Sequence, residues 1–199
     1  WELEGEPYTP AEGTNFEWYR SRMLGGRTNH WGRNSFRMGP YDFKAKSRDG
    51  LGSDWPMTYD DLAPYYDKTE ALIGVYGVNS GLENHPDSGP GILHEPPAPR
   101  VHELLTKAAA EDLGMPCVPA RRAILTKKMG ERNACYYASA CSRGCNSGAA
   151  FQSTTSLLPW AKATGNLDIL TDAMAHELEL GEDGRATGVW YTDTTSGEQ

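Results

Sequence analysis

The clearest alternation of apolar and polar residues runs from residue 175 to 180, near the end of the chain. A period of two is typical of a strand with one face in water. Residues 181–184 (GEDG) follow, and residues 185–191 form a second extended stretch. Two such stretches joined by a glycine-containing turn predict a β-hairpin. A short apolar run at residues 167–171 precedes them and is predicted to be a buried strand.

Apolar residues at helical spacing predict three helices, over residues 100–113, 155–164 and about 64–73. Each predicted helix is followed by a glycine, which readily adopts the left-handed conformation that ends many helices. Pro64 is suited to the first position of its helix, where no backbone N–H is needed. Between the first two helices in the chain, residues 77–99 are rich in Gly, Pro, Asn and Ser, which predicts a surface excursion.

Composition narrows the class of protein. The chain has 199 residues, with 22 Gly and 13 Pro, so we expect many turns. A formal net charge of −8 argues against a nucleic-acid partner, whose phosphates attract a basic surface. No apolar run approaches the roughly 18 residues of a transmembrane helix. The two arginines and two lysines of residues 121–128 are interpreted as a solvated face.

The segment with the most chemical information is Leu24-Gly25-Gly26-Arg27-Thr28-Asn29-His30-Trp31, here named the glycine turn. A Gly-Gly step marks either a tight turn or a place where a ligand approaches the backbone closely. After it, Thr28 and Asn29 can cap a helix or offer a hydroxyl and an amide to a bound anion. The alternative is a turn followed by an ordinary helix start.

The pattern Leu24-Gly25-Gly26-x-Thr28-x-His30-Trp31 resembles the flavin-contacting segment of the glucose–methanol–choline (GMC) oxidoreductases. The usual family form is Gly-Gly-Ser-Ser-x-x-Asn. Arg27, Thr28 and Trp31 replace its serines and asparagine, which favours the branch of sugar and gluconate dehydrogenases and pyranose oxidases. In some members, the histidine at the position of His30 is bonded covalently to the flavin. The resemblance implies five FAD-contacting residues: Gly25, Gly26, Thr28, Asn29 and His30.

The same resemblance implies an α/β fold, with part of an FAD-binding Rossmann-like domain and part of an α+β substrate domain. We expect residues 1–60 to carry the flavin-contacting segment, 61–134 a helical and loop excursion of the substrate domain, and 135–199 the second part of the FAD-binding domain. The implied activity is FAD-dependent removal of hydride from an alcohol carbon of a sugar, sugar acid or polyol. An electron-acceptor protein or a quinone is the implied second partner.

A complete member of the family also has a Gly-x-Gly-x-x-Gly loop and a catalytic histidine with a His or Asn partner near its C-terminus. The nearest string here, residues 50–55, lacks the third glycine. We therefore expect this chain to be a middle portion of a longer flavoprotein, with no catalytic residue within it and no activity by itself.

Three of the four cysteines, Cys135, Cys141 and Cys145, follow the spacing C-x5-C-x3-C. Thiolates this close in sequence can bind one soft metal centre, and so short a loop strains most disulfides. Zinc would need a fourth ligand, and no histidine is adjacent. Disulfide pairing would leave one cysteine over or use Cys117. A metal site, a disulfide and simple packing all remain open from the residues alone.

Some relatives in the resembled family carry a four-cysteine version of this segment. Certain sugar dehydrogenases use a three-cysteine version to hold a three-iron, four-sulfur (3Fe–4S) cluster, and the spacing here resembles that version. The resemblance thus implies such a cluster at Cys135, Cys141 and Cys145. Two rival hypotheses for the whole chain are a separate iron–sulfur electron-transfer module and a non-catalytic domain that has kept the flavin fold but lost the flavin.

Overall fold

The structure, a computed structural model, describes residues 8–16, 21–137, 139 and 141–199. The chain divides into two compact units, Trp1–Pro159 and Trp160–Gln199. The three-part division predicted from the sequence, with boundaries after residues 60 and 134, stays a prediction.

The described residues contain short and medium helices and one small sheet. The α-helices are α1 (Pro40–Phe43), α2 (Ala45–Asp49), α3 (Tyr59–Ile73), α4 (Val101–Asp112) and α5 (Leu157–Ala163). The 3-10 helices are Gly26–Asn29, Cys141–Arg143 and Ser153–Thr155, and the strands are β1 (Ala173–Leu180) and β2 (Ala186–Asp193). This mixture of helices and strands is consistent with the predicted α/β class. The assignment to a Rossmann-like domain stays a prediction.

Helix α3 begins earlier than predicted. The Asp61 carboxylate accepts hydrogen bonds from the backbone N–H and the hydroxyl of Thr58, at 2.8 and 2.9 Å, which starts the helix at Tyr59. Pro64 therefore lies inside the helix, and its expected position in the first residue was wrong. The predicted end is confirmed, because Gly74 follows Ile73 with a left-handed φ of 76°.

Helix α4 has nearly the predicted bounds, but its apolar residues lie in solvent. No residue of α4 is buried, and the Leu105 side chain is 67% exposed. Periodicity therefore located this helix without showing what its apolar face contacts. In the part of the chain that the structure describes, no helix combines the length and the apolar character needed to cross a bilayer.

The core of the first unit forms where four segments distant in sequence meet. Ile73, Val75, Ala123 and Phe151 are buried together, and Trp31 packs against them. Short backbone pairings hold these segments side by side: the N–H of Ala123 donates to the carbonyl of Arg33, and the N–H of Phe151 donates to the carbonyl of Ala123, both at 2.9 Å. These pairings satisfy buried backbone groups without forming a regular sheet.

Charged side chains also lie inside this unit, and one of them corrects a prediction. Arg121 belongs to the stretch interpreted as a solvated face, yet its side chain is completely buried. Its Nη1 lies 3.6 Å from Oε1 of Glu70, which is itself buried on α3. A carboxylate supplied by a helix far away in sequence therefore accompanies this arginine in the interior.

The second unit contains the predicted hairpin. Strands β1 and β2 pair antiparallel, with Ala173 opposite Asp193 and Leu180 opposite Ala186. The turn closes through a 2.9 Å hydrogen bond from the N–H of Gly184 to the carbonyl of Gly181. Residues 167–171 were predicted to form a buried strand. This prediction was wrong, because these residues form no strand and most of them are exposed. Apolar composition alone could not supply the pairing partner that a strand needs.

Candidate functional site

The glycine turn packs directly on the 3-10 helix Ser153–Thr155. Gly25 has a φ of 85°, in the left-handed region that favours glycine. A Cβ atom at Gly25 would lie 2.8 Å from Thr154 Cγ2 and 2.9 Å from Ser153 Oγ. The position therefore requires glycine both for its backbone conformation and for the close approach of a segment far along the chain.

Gly26 differs from Gly25 in what surrounds it. Its φ is 50°, also left-handed, but a Cβ atom placed there would have no heavy atom of the described residues within 4 Å. One glycine of the pair is thus closed off by the protein, whereas the other borders open space. Because glycine presents no side chain there, a planar ligand could approach the backbone at Gly26 closely.

The Thr28 side chain has all of its hydrogen-bonding capacity engaged within the protein. Its hydroxyl donates to the carbonyl of Gly25 at 2.6 Å. The same oxygen lies 2.8 Å from Ser153 Oγ and accepts from the N–H of Ser153 at 3.1 Å. A hydroxyl offers one donor and two acceptor positions. Thr28 therefore joins the glycine turn to the second segment.

Asn29 makes the matching connection on the other side. Its Nδ2 donates to the carbonyl of Leu24 at 2.7 Å, and its Oδ1 accepts from the Thr154 hydroxyl at 2.9 Å. The Gln152 side chain donates to the backbone carbonyl of Asn29 at 3.0 Å. The polar side chains after the two glycines thus fix the shape of the turn.

His30 and Trp31 end the turn. The backbone N–H groups of both residues donate to the carbonyl of Arg27, and the His30 ring is half-buried. Trp31 donates from Nε1 to the carbonyl of Phe151 at 3.2 Å, and the two rings pack edge to face at 6.2 Å. All five residues predicted to contact flavin lie in this one turn. Their contact with flavin stays a prediction.

A second candidate site is a cavity of about 260 Å³ in the segment here named the cysteine loop, residues 135–148. Residues 138 and 140 of this segment lie outside the described residues. Cys135, Cys141 and Cys145 all line the cavity, whereas Cys117 does not. All four cysteines are free thiols. The structure thus brings together the three cysteines that the spacing grouped.

Two sulfur atoms in this cavity, those of Cys135 and Cys145, accept hydrogen bonds. Cys145 Sγ accepts from the N–H of Ala150 and lies beside the Ser147 hydroxyl, both at 3.4 Å. Burial raises the pKa of Cys145, but these bonds outweigh it and leave the pKa below its usual value. Cys135 Sγ accepts from the N–H of Tyr137 at 3.3 Å.

The cysteines share the cavity without meeting at a point. Among residues 8–16, 21–137, 139 and 141–199, no three His, Cys, Asp or Glu side chains converge as ligands of a single metal ion. A mononuclear zinc site would require such convergence, with sulfur atoms about 2.3 Å from the metal. The arrangement therefore gives no support to the zinc alternative.

Sequence reasoning missed Arg33, which lies between the glycine turn and the cysteine loop. Its guanidinium is buried, with 1% of the residue exposed, and it donates to four backbone carbonyls. The acceptors are Trp31 (2.5 Å), Cys141 (2.9 Å), Asn29 (3.0 Å) and Phe151 (3.4 Å). No local pattern marks such a residue, because its partners are carbonyl oxygens, which every residue possesses.

The sequence model of the family described as GMC oxidoreductase matches residues 8–199. The chain is 33% identical over 182 residues to 2-methyl-1,2-propanediol dehydrogenase of Mycolicibacterium austroafricanum, covering 90% of this chain and 32% of that protein. It is 33% identical over 204 residues to 6'''-hydroxyparomomycin C oxidase of Streptomyces lividus, covering 100% of this chain and 35% of that protein.

A third relative is the fructose dehydrogenase large subunit of Gluconobacter japonicus, 28% identical over 172 residues, covering 85% of this chain and 31% of that protein. The chain therefore spans about a third of the length of the curated relatives it matches.

Proposed function

Because the chain belongs to the GMC oxidoreductase family, we propose that the protein carrying it is an FAD-dependent oxidoreductase that removes hydride from an alcohol carbon. The family binds FAD, and the relatives are named as dehydrogenases and oxidases. Their names specify alcohol-bearing small molecules, including a diol and a sugar. The proposed donor class is accordingly a sugar, sugar acid or polyol.

The observation that carries this proposal is the family match over residues 8–199, and the unequal environment of the two glycines supports the place of contact. Gly25 is closed by Ser153 and Thr154, whereas Gly26 borders open space. This arrangement is suited to a flat ring system lying against the backbone at Gly26. We assign direct contact to Gly26 and His30. Gly25, Thr28 and Asn29 hold the turn in the shape that allows this contact.

FAD, when bound, supplies the acceptor for the hydride, and the protein supplies its placement and electrostatic surroundings. Within this chain, the turn's contribution is orientation: Thr28 and Asn29 anchor it to residues 152–154, and Trp31 anchors its end to Phe151. No proton acceptor for the alcohol hydroxyl is assigned to this chain.

The test is to purify the intact protein that carries this sequence and record its absorbance. A flavin spectrum, bleached anaerobically by a sugar or polyol, is the expected result. A correctly folded protein that is colourless and binds no added FAD would overturn the proposal. If the flavin is present but no sugar, sugar acid or polyol reduces it, the proposed donor class is wrong and the cofactor assignment stands.

A second proposal concerns Cys135, Cys141 and Cys145, for which we propose a 3Fe–4S cluster. Support comes from their spacing, from their position around one cavity, and from their free thiols. In a cluster, thiolates bind different iron atoms, so they surround a volume and need not converge on one ion. Such a cluster supplies one-electron transfer. This favours a dehydrogenase with a protein or quinone acceptor over an oxidase.

Anaerobic purification of the intact protein tests this second proposal. We expect bound iron and inorganic sulfide, and an electron paramagnetic resonance signal from the oxidised form. Near-zero iron in an enzyme that contains flavin and is active would overturn the cluster without affecting the flavin proposal. A metal content without sulfide would also overturn it.

A further inference from the structure

We propose that Arg33 is a positioning residue that fixes the glycine turn and the cysteine loop in one rigid arrangement. The groups that these two segments bind are those of the proposed function, and the inference deepens that function. The inference concerns this chain's own residues: one guanidinium donates hydrogen bonds to both segments, so motion of one segment is transmitted to the other.

The contacts of Arg33 reach both candidate sites. Two acceptors, the carbonyls of Asn29 and Trp31, belong to the glycine turn, and a third, the carbonyl of Cys141, belongs to the cysteine loop. Nη1 donates to Trp31 and to Cys141, so one nitrogen atom joins the two segments. Because the guanidinium is planar and rigid, these donors fix the relative positions of their acceptors.

The buried charge of Arg33 is stabilised differently from that of an arginine in an ordinary ion pair. Among the described residues, no carboxylate oxygen lies within 4 Å of its guanidinium, which is surrounded by carbonyl dipoles. Burial lowers the pKa of Arg33, and the thiols of Cys141 and Cys145 act in the opposite direction. The geometric contact between the cation and the cysteine loop is the 2.9 Å hydrogen bond from Nη1 to the carbonyl of Cys141.

The backbone at Arg33 supports the same conclusion. Its φ is 59°, a left-handed value that is uncommon for residues with a side chain. Its carbonyl accepts the core hydrogen bond from the N–H of Ala123 at 2.9 Å. An uncommon conformation persists where the surroundings over-determine it. Here, side chain and backbone together tie the turn, the core and the cysteine loop.

Arg132 provides a matched comparison within the same unit. It is also buried, and it donates to the carbonyls of Ile73, Gly148 and Ala149. Its contacts therefore reach the end of the cysteine loop and the core but do not include the glycine turn. A role shared by any buried arginine would predict the same behaviour for Arg33 and Arg132, whereas the positioning role predicts a difference.

The test is hydrogen–deuterium exchange of the intact protein, read by mass spectrometry, for wild type, Arg33→Lys and Arg132→Lys. Lysine keeps the charge but lacks the planar fork. We expect Arg33→Lys to speed exchange by about tenfold in both the glycine turn and the cysteine loop, since hydrogen bonds from a charged donor are lost in both. Arg132→Lys should speed exchange around Gly148 and leave the glycine turn unchanged.

Two results would overturn the inference: faster exchange in only one segment of Arg33→Lys, or equal loosening of the glycine turn by Arg132→Lys. A measurement on wild type decides the matter if the variants fail to fold. With increasing mild denaturant, amides of the two segments should open as one cooperative unit with a common denaturant dependence. Separate units would refute the coupling. None of these measurements requires bound FAD or iron, so their outcome is independent of the proposed function.

Discussion

Both oxygens of the Glu70 carboxylate accept hydrogen bonds from the Arg37 guanidinium, at 2.9 Å from Nε and 2.5 Å from Nη2. The Ser88 hydroxyl donates to the same carboxylate at 2.7 Å, and the Tyr59 hydroxyl accepts from Arg37 at 2.9 Å. Burial lowers the pKa of Arg37, but its bonds to Glu70 and Asp67 outweigh this and raise the pKa overall. This bidentate pair connects helix α3 to the segment after the glycine turn.

Glu70→Gln should therefore destabilise the fold strongly. The change leaves Arg37 with Asp67 alone and removes the buried carboxylate beside Arg121, and breaking a buried pair on one side costs about 3–5 kcal/mol. Denaturant unfolding, followed by tryptophan fluorescence, measures the loss. Glu111→Gln is the control, because Glu111 pairs with Lys107 on the exposed surface of α4. We expect no measurable change there, and equal effects in the two variants would contradict the prediction.

Asp67 should make stability depend on pH. Burial raises the pKa of Asp67, but bonds from the Gly89 N–H and from Arg37 outweigh it, so the folded pKa lies below the usual value of 3.8. The carboxylate thus contributes stability above the unfolded pKa, and this contribution is lost as pH falls through the folded pKa. The difference in unfolding midpoint between wild type and Asp67→Asn should be largest near about pH 7 and vanish in strong acid. The exposed Asp168→Asn is the control.

Gly25→Ala should mainly reduce stability, whereas Gly26→Ala should mainly reduce FAD binding. Both positions are left-handed, which costs a residue with a Cβ about 1–2 kcal/mol. Gly25→Ala adds a clash with Ser153 and Thr154, so it should lower the free energy of unfolding more than Gly26→Ala. In Gly26→Ala the new methyl group enters open space, and we expect loss of bound FAD from a folded protein. Full FAD content in folded Gly26→Ala would contradict the contact.

His30→Ala should weaken the affinity for FAD by about tenfold, the effect of one lost contact of about 1.4 kcal/mol. The dissociation constant, from titration of the flavin-free protein with FAD, is the measurement, and His102→Ala on the exposed surface of α4 is the control. Unchanged affinity in His30→Ala would remove this residue from the site. Acid precipitation adds a second result: flavin in the wild-type pellet, but not in that of His30→Ala, would assign a covalent bond to His30.

Replacing any one cavity cysteine should remove the proposed cluster. We expect Cys135→Ser, Cys141→Ser and Cys145→Ser each to lose most of the bound iron. The iron of such clusters is bound by thiolates, and the serine hydroxyl is a poor replacement. Cys117→Ser should retain it, since Cys117 does not line the cavity. Transfer to an external acceptor should slow more than flavin reduction by the substrate. Iron retained in all three cavity variants would contradict the assignment.

Local sequence patterns predicted the hairpin and α4, because the residues that define these elements are close together in the sequence. The hairpin followed from alternation and a glycine-containing turn, and α4 followed from apolar spacing ended by Gly114. The predicted start of α3 was too late, because Pro64 suits the first position of a helix, whereas the capping pair Thr58 and Asp61 starts the helix at Tyr59.

The contacts that build the candidate sites could be predicted much less well. The spacing grouped the three cysteines, and the glycine pair marked the turn. The burial of Arg121 depends on Glu70, and the role of Arg33 depends on carbonyls more than 100 residues away. Such partners leave no periodic signal in the sequence. Every residue has a backbone carbonyl, and neither a carbonyl nor a charge shows which distant residue will contact it.

The bond between Thr28 and Ser153 spans 125 residues of sequence. A ribosome adding about 5–20 residues per second makes the second partner roughly 6–25 s after the first. Throughout that interval, the growing chain contains both glycines but not the segment that closes Gly25. The flavin site proposed here is thus completed only after Ser153 has been synthesised, and a nascent chain that stops before residue 153 lacks the segment that supports its own glycine turn.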